Sequence, residues 1–382
     1  MKPALAAELI RLDEYPDLGA DWRALEESAE SSPFAAWPWV STWLRNLPPR
    51  IAPLVFRARD EKGLVALALI AHASGTIRQA LGGNWLMQET GNHDIDEITI
   101  EYAGLLARRG TRETSYRALF DVLTRTRRWH SLRISASLDA VPIAAALPAR
   151  ARAFATIVRP SYLVDLAHVR EQGGDYIAQL GSSTRYGLRR TRRAYEALGP
   201  IRCEVATDAT QALEWFEALR TLHTDYWTSK GKTGSFDSAF FAQFHRDLVK
   251  THCASGFAQI MRVSAGELVV GYLYNLLWRN RVYFYNGGLN YGATDKQDRP
   301  GYLAHLAAIE RYLAEGIDVY DFLAGDGDYK RKMSTHVRTM QWIQVKRWGL
   351  RATIEKALIP WVNKVQPVPL ETISDEPSPL RD

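Results

Sequence analysis

Three side chains in the second half of the chain have the type and setting for proton and group transfer. His223 stands one helical turn before Trp227 in LHTDYWTSKGKTGSF. Imidazole is the side chain best matched to general-base work near neutral pH. Asp321 lies between Tyr320 and Phe322 in VYDFLAG, where an inward-pointing carboxylate would take a proton from an amine nucleophile. Lys330 follows Gly325 and Gly327 in GDGDYKRKM and would pair with a phosphate or with the oxyanion of an acyl transfer. Groups suited to an anionic ligand stand nearby. Arg299 offers a planar fork for phosphate, and Gly301 lets the backbone approach one closely. A helix opening at Pro300-Gly301 would present free N–H groups and the positive end of its dipole. Each residue also has a plainer reading as a turn, a packing group or a solvated charge.

Other chemistries find no support. There is no Gly-x-Ser-x-Gly elbow and no Walker loop. Asp326 and Asp328 form an Asp-Gly-Asp too short for a calcium loop, and no metal is expected. Two cysteines, Cys203 and Cys253, exclude a disulfide framework or a four-cysteine zinc site and read as packing residues. His93 and Asp94, in GNHDIDE, read as a loop pair, with lining an acceptor groove as the lesser alternative. Charge is mildly basic, 48 Lys and Arg against 43 Asp and Glu, a formal +5. It is concentrated at Arg185, Arg189, Arg190, Arg192 and Arg193 and at Lys330-Arg331-Lys332. Such clusters draw nucleic acid, anionic lipid or phosphorylated small molecules. No nucleic-acid motif accompanies them, so DNA is not an expected partner. The N-terminus carries acids and a proline where a secretory signal needs an apolar run. The longest apolar stretch, LVALALIAHA, falls short of the ~18 residues that cross a bilayer. A cytoplasmic protein is the resulting expectation.

The elements that must position these groups follow from periodicity and breakers. In the first half, LAAELIRLDEY reads as a strand, and ADWRALEESAESS and PFAAWPWVSTWLRNL as helices, the second stopping at Pro48-Pro49. APLVFRARDEKGLVALALIAHA reads as a hairpin turning at Asp60–Gly63. RETSYRALFDVLTRT is an amphipathic helix, HSLRISAS a strand, and ARAFATIVRPSYLVDL closes the half. One helix over 175–198 would link the halves and carry the arginine cluster, ending at Gly199-Pro200. Then come the strand IRCEVAT, a helix capped by Asp208, a second helix in SFDSAFFAQFHRDLVKTHCA, and three antiparallel strands over 257–289 with turns at 265–267 and 279–281. The helix from Gly301 ends at Gly316, and the strands IDVYDFLAG and RTMQWIQVKRW follow. From Gln366 the tail is polar, proline-rich and expected to be disordered.

Four patches carry a family resemblance: SSTRYGLRRTRR (182–193), LHTDYWTSKGKTGSFDSAFFAQFHRDL (222–248), RPGYLAHLAAIERYLAEGIDVYDFLAGDGDYKRKM (299–333) and the aromatic SPFAAWPWVSTWL (32–44). Together they resemble the GNAT-fold acyltransferases of the CelD-type, FemAB-like group. The resemblance implies an α+β fold of two tandem GNAT-like domains, each a mixed, mainly antiparallel sheet flanked by helices. The implied division is a first domain over 1–168, an arginine-rich linking helix over 169–200, a donor-binding domain over 201–350, and an amphipathic helix and tail over 351–382. The donor is acyl-CoA or acetyl-CoA, held by Asn286, Arg299, Gly301, Tyr302 and Tyr329. Tyr285 and Asn286 would face the thioester, with Asn286 donating to its carbonyl. Acceptor contacts fall to Trp227, Tyr285, Arg185 and Arg189. The segment Gln297-Asp298-Arg299-Pro300-Gly301-Tyr302 departs from the Gln/Arg-x-x-Gly-x-Gly/Ala loop of classical acetyltransferases.

These features give an N-acyltransferase in which an amine attacks the thioester directly. Its acceptor is a sugar of an exported polysaccharide or a lipid amine. The lipid choice, of the kind bacterial ceramide synthases use, draws support from the basic surface, from Trp37, Trp39 and Trp43, and from WGLRATIEKALIPWVNKV, which reads as a helix lying on the inner membrane or on the domain. An aminoacyl-tRNA-dependent transferase of the FemABX kind is the second reading, with Tyr329-Lys330 resembling that group's Phe-Lys pair and the arginine helix touching RNA. A catalytically inactive scaffold is the third.

Overall fold

Apolar runs interrupted by Gly, Asp and Pro set the strands, and amphipathic stretches set the helices between them. The computed structural model describes residues 5–73, 83–126, 129–292, 299–347, 368–370 and 377–380. They fall into two units, Met1–Arg159 with Thr339–Glu376, and Pro160–Arg338 with Pro377–Asp382.

The first unit runs β1 (Ala6–Arg11), α1 (Leu18–Ser28), α2 (Trp37–Asn46), β2 (Leu54–Asp60), β3 (Gly63–His72), β4 (Asn84–Met87), a short α3 (His93–Asp96), a two-residue β5 (Leu106–Ala107), α4 (Arg112–Arg125), β6 (Ser131–Ser137), α5 (Ala140–Ala146) and β7, which begins at Ala151 and ends at Asp165. Strands β1 to β4 pair antiparallel in sequence order, and β4 pairs parallel with β6. The β2–β3 turn has Asp60 accepting from the Lys62 N–H at 2.9 Å, which fixes the hairpin where expected. Trp39 and Trp43 are 0% and 2% exposed, and Trp37 packs beside the Trp22 ring with centroids 6.2 Å apart. The tryptophans that suggested membrane contact are therefore mostly core, placed there by the 4-residue spacing that points one helix face inward. The parallel ladder between β4 and β6 ends at Leu86 and Arg133. Past that point the chain's own 98–105 segment lies against β6, with the Tyr102 N–H donating to Ala136 O at 2.7 Å and Ile98, Ile100, Ala103 and Leu105 buried.

The second unit continues with α6 (Leu166–Glu171), α7 (Ser182–Glu196), β8 (Ile201–Val205), α8 (Ala209–Ser229), α9 (Ala239–His252), β9 (Ala258–Ala265), β10 (Leu268–Trp278), β11 (Arg281–Leu289), α10 (Pro300–Ala314), β12 (Val319–Ala324), α11 (Asp328–Met333) and β13 (His336–Arg347). The sheet order is β8-β9-β10-β11-β12, with residues 161–165 of β7 on β12. Every pairing is antiparallel except β11 with β12, which α10 joins as a crossover. Asp208 caps α8 by accepting from the N–H groups of Thr210 and Gln211 at 2.8 and 2.9 Å, and Ser238 caps α9. The core lies between the sheet and α7 and α10, around Leu188, Tyr195, Val263, Leu273, Leu306 and Phe322.

The helix expected to link two domains is shorter than 175–198 and belongs to the second unit. Thr184, Leu188, Thr191 and Tyr195 recur at helical spacing and are buried, so α7 packs as a core helix. The units divide at 159/160 and 338/339, unlike the expected boundaries, because β7 and β13 each contribute residues to both. Within the expected tail, Val368–Pro369 pairs with β7 residues 154–155, and Ser378–Pro379 pairs with β13 residues 336–337. The expected helix over 348–365 and Gln297-Asp298 lie outside the described residues. Each unit is a mixed, mainly antiparallel sheet flanked by helices, the α+β class expected. Apart from the short α3 and two-residue β5 inserted before α4, both run strand, two helices, three strands, helix, strand, with a parallel pair at the same place among the described residues.

Candidate active site

The ladder between β11 and β12 pairs only Arg281–Tyr283 with Val319–Asp321, although both strands run on. Beyond that point lie the C-terminal ends of two parallel strands with α10 beginning beside them, the place where α/β sheets bind ligands. A β-bulge near Tyr274 and Asn275 shifts the register so that Asn286 faces Tyr274 and Phe284 faces Asn275, leaving Tyr285 as the extra residue. Bulges re-aim side chains and are common beside active sites.

Two glycines follow the bulge for a steric reason. A Cβ on Gly288 would stand 2.8 Å from Leu219 Cα and closer still to its carbonyl oxygen, so α8 rests directly on the strand backbone. One turn further along α8, His223 Nδ1 lies 3.2 Å from Gly287 O. A carbonyl only accepts, so in the neutral ring Nδ1 carries the proton and Nε2 the lone pair. Nε2 is buried and has no hydrogen-bond partner among the described residues. Burial holds the His223 pKa below its ordinary value, with the hydrogen bonds it makes to Gly287 O and the Asn286 side chain opposing. The side chain is thus a neutral imidazole with an unused acceptor. Trp227 (centroids 6.1 Å) and Phe236 (5.2 Å) flank it, and Gly234 closes against it.

The opposite wall is built by α10 and α11. Arg299 precedes α10 in a left-handed conformation, φ 45°, its guanidinium 5.2 Å from the Tyr302 ring centre. A non-glycine residue held there is strained, and such strain gathers at functional sites. At Gly301 a Cβ would meet Leu289 Cδ1 at 3.1 Å, so the glycine is a tight clearance between α10 and β11. Tyr291 stacks near Tyr226 (4.7 Å), and burial pushes its hydroxyl up to about 12. Tyr329 lies nearly parallel to His305, centroids 5.4 Å apart. The Lys330 ammonium donates to Ala324 O at 2.8 Å. Its neighbours Arg331 and Lys332 both pair with Asp328, so only Lys330 of the basic run turns inward.

His223 and Trp227 thus stand on α8, Tyr285 and Asn286 on β11, Arg299, Gly301 and Tyr302 at the start of α10, and Tyr329 and Lys330 on α11, the elements that adjoin the ends of the parallel strand pair. The structure corrects two expectations. Asp321 is fully buried in an ion pair with Arg338 and also accepts from the Leu323 N–H at 2.8 Å. A carboxylate committed to a guanidinium and a backbone N–H is not poised to collect an amine proton; it holds the turn at Leu323, whose φ is 62°. Arg185 is turned to the Leu180 carbonyl at 2.7 Å, so it braces the start of α7. Arg189 is exposed on the same helix. Cys203 is inert, its thiol pushed by burial up to about 12. His93 and Asp94 are exposed in a short helical turn capped by Asn92. No group of metal-ligating side chains occurs among the described residues.

Three residues escaped sequence reading. His245 is fully buried, with Nε2 3.0 Å from the Tyr285 hydroxyl and Nδ1 3.3 Å from that of Tyr274. His305, 2% exposed, bonds Tyr320 Oη at 3.0 Å. Both sit on apolar helix faces, and only the positions of the facing tyrosines distinguish them from packing residues. Gly187 of α7 faces Arg299: a Cβ there would be 3.9 Å from the guanidinium. The helical position of Gly187 relative to the buried stripe was the available signal.

Residues 182–331 match the family model described as an acetyltransferase (GNAT) domain, a span that starts with α7 and ends within α11. No curated protein matches the chain by sequence. Among solved structures, FemX superposes with a TM-score of 0.58 at 8% identity, covering 89% of this chain and 98% of that one. The C-terminal domain of a putative lysylphosphatidylglycerol synthetase from Agrobacterium fabrum gives 0.52 at 12%, covering 92% and 98%. L-PGS from Bacillus licheniformis gives 0.52 at 12%, covering 89% and 94%. At these identities the likeness is one of fold. No described helix is long and apolar enough to cross a membrane. The segment over 182–331, which carries α7 to α11, thus matches an acetyltransferase (GNAT) domain, and this match supports an acyltransferase activity.

Proposed function

We propose that the protein transfers an acyl group from acyl-CoA to an amine, with His223 as general base. The observation that carries this reading is the state of His223: Nδ1–H spent on Gly287 O, Nε2 unpartnered, and the ring kept neutral by burial. The amine nitrogen attacks the thioester carbonyl carbon, the C–S bond breaks, and the proton lost by nitrogen passes to Nε2 and ends on the departing sulfur. Lys330, the side chain of Asn286 and the start of α10 supply positive potential near the cleft. Arg299 and the Gly301 clearance suit the pyrophosphate of the donor. Asp321 acts through Arg338 and the Leu323 turn, as a positioning residue.

The wall beside His223 consists of Tyr226, Trp227, Phe236 and Phe241, which favours an amine carried on an apolar or flat body. A lipid amine of the sphingoid type fits this wall, and an amino sugar is the competing acceptor. The test is thiol release by the full chain, with acetyl-CoA and palmitoyl-CoA crossed against a sphingoid base and an amino sugar. Amine-dependent release is expected, and His223→Ala should lower kcat by about 100-fold or more. Unchanged turnover in that variant removes the base assignment. Failure of every amine removes the N-acyl reading, and release that requires aminoacyl-tRNA replaces it.

A further inference from the structure

The arginines of α7 do not form a uniform solvated face. With Gly187 set toward Arg299 and the buried stripe running through Thr184, Leu188, Thr191 and Tyr195, helical geometry places Tyr186, Arg190 and Arg193 together on the exposed ridge opposite that stripe, with Arg190 on the side toward Gly187. Arg192 falls on the other flank and pairs with Glu310 of α10. Tyr186 is 70% exposed, the most exposed large apolar side chain among the described residues. Arg190 and Arg193 are exposed one and two turns beyond it. Arg299, at the start of α10, has its guanidinium close to Gly187 and over the Tyr302 ring. An exposed aromatic ring, two arginines one turn apart, and a third arginine in a strained backbone at the mouth of a cleft form a set suited to a flat ring carrying several phosphates.

We propose that the Tyr186–Arg190–Arg193 stripe of α7 clamps the nucleotide end of the donor, Tyr186 lying on the purine and Arg190 with Arg193 holding the ribose 3′-phosphate, while Arg299 takes the pyrophosphate. This rests on the acyl-CoA reading and extends it to a helix outside the strand–crossover–strand element that forms the cleft. Gly187 marks where α7 comes nearest to this arginine, since a Cβ there would stand 3.9 Å from the Arg299 guanidinium, an ordinary contact distance.

The test needs no variant to begin. Calorimetric titration of the full chain with CoA and with 3′-dephospho-CoA at one salt concentration should show dephospho-CoA weaker by about tenfold or more, the worth of one charge-assisted pair. Arg190→Ala should lower affinity for CoA and abolish the preference, leaving dephospho-CoA binding little changed. Tyr186→Ala should weaken both ligands alike. Both side chains are exposed, and an unchanged melting temperature confirms that the variants fold. Equal binding of CoA and dephospho-CoA by the unmodified chain overturns the clamp and leaves the acyl-CoA reading standing. Binding of neither, with retention of bulk tRNA that weakens steeply as salt rises, overturns both and assigns the stripe to RNA.

Discussion

The buried imidazole of His305 makes the stability of the second unit depend on pH in a calculable way. His305 sits in α10 between the rings of Phe284, Phe322 and Tyr329, with Nδ1 against Tyr320 Oη and the Lys330 ammonium nearby. Burial, with the Lys330 charge adding to it, pushes its pKa down to about 3. A depressed folded-state pKa means that the unfolded chain binds the proton first. The contribution is therefore whole above the unfolded value of about 6.5 and is lost as pH falls below it. At pH 5 the unfolded ring is almost fully protonated while the folded ring is still neutral, which removes about 2 kcal/mol relative to pH 7. Urea unfolding of the intact chain at pH 7 and pH 5 reads this difference, and His305→Phe isolates it. The variant should lose about 2 kcal/mol less between the two pH values than the parent, whatever its stability at pH 7. Losses that agree within about 0.5 kcal/mol would show that the ring is hydrated or already charged in the folded protein, and the reasoning from burial would fail.

Other outcomes follow from single contacts. Gly288→Ala must push α8 off β11, so a loss of about 1–3 kcal/mol is expected, together with a fall in turnover as His223 leaves Gly287 O; a melting curve and an activity assay on the same preparation check both. Arg338→Met strands the buried Asp321 carboxylate and should cost about 3–5 kcal/mol. Adding Asp321→Asn should restore much of that loss in chemical denaturation. Because burial lowers the His223 pKa, the acid limb of kcat/KM should fall below pH 6.5 and vanish in His223→Ala; a limb at or above 6.5 contradicts the buried base.

Local signals carried the elements well. Asp60–Gly63, 265–267 and 279–281 are turns because acidic, glycine and asparagine residues interrupt apolar runs, and each hairpin forms there. Asp208 announces its helix in the same way. A candidate residue's position was legible where it depends on its own segment, as with Gly301 at the start of α10. Its role was illegible where the partner is remote. Asp321 reads as a base until Arg338, seventeen residues on, is seen to neutralise it. In α7, Arg185 braces backbone while Tyr186 and Arg190 are exposed, a distinction set by which stripe the core claims. The division into compact units at 159/160 and 338/339 was illegible for a related reason, since a strand shared by two units carries no break in composition where one ends.

The segment over 98–105 that hydrogen-bonds β6 in the first unit has a consequence for stoichiometry. The backbone donor from Tyr102 already occupies the edge of β6 beyond its parallel ladder. The first unit thus repeats the architecture of the second with its corresponding opening occupied from within. On the acyl-CoA reading, CoA should saturate the chain at one equivalent, and every substitution that abolishes its binding should map to the second copy of the fold. The first copy is then released from the demands of donor chemistry, and its surface loops are free to diverge under a different selection.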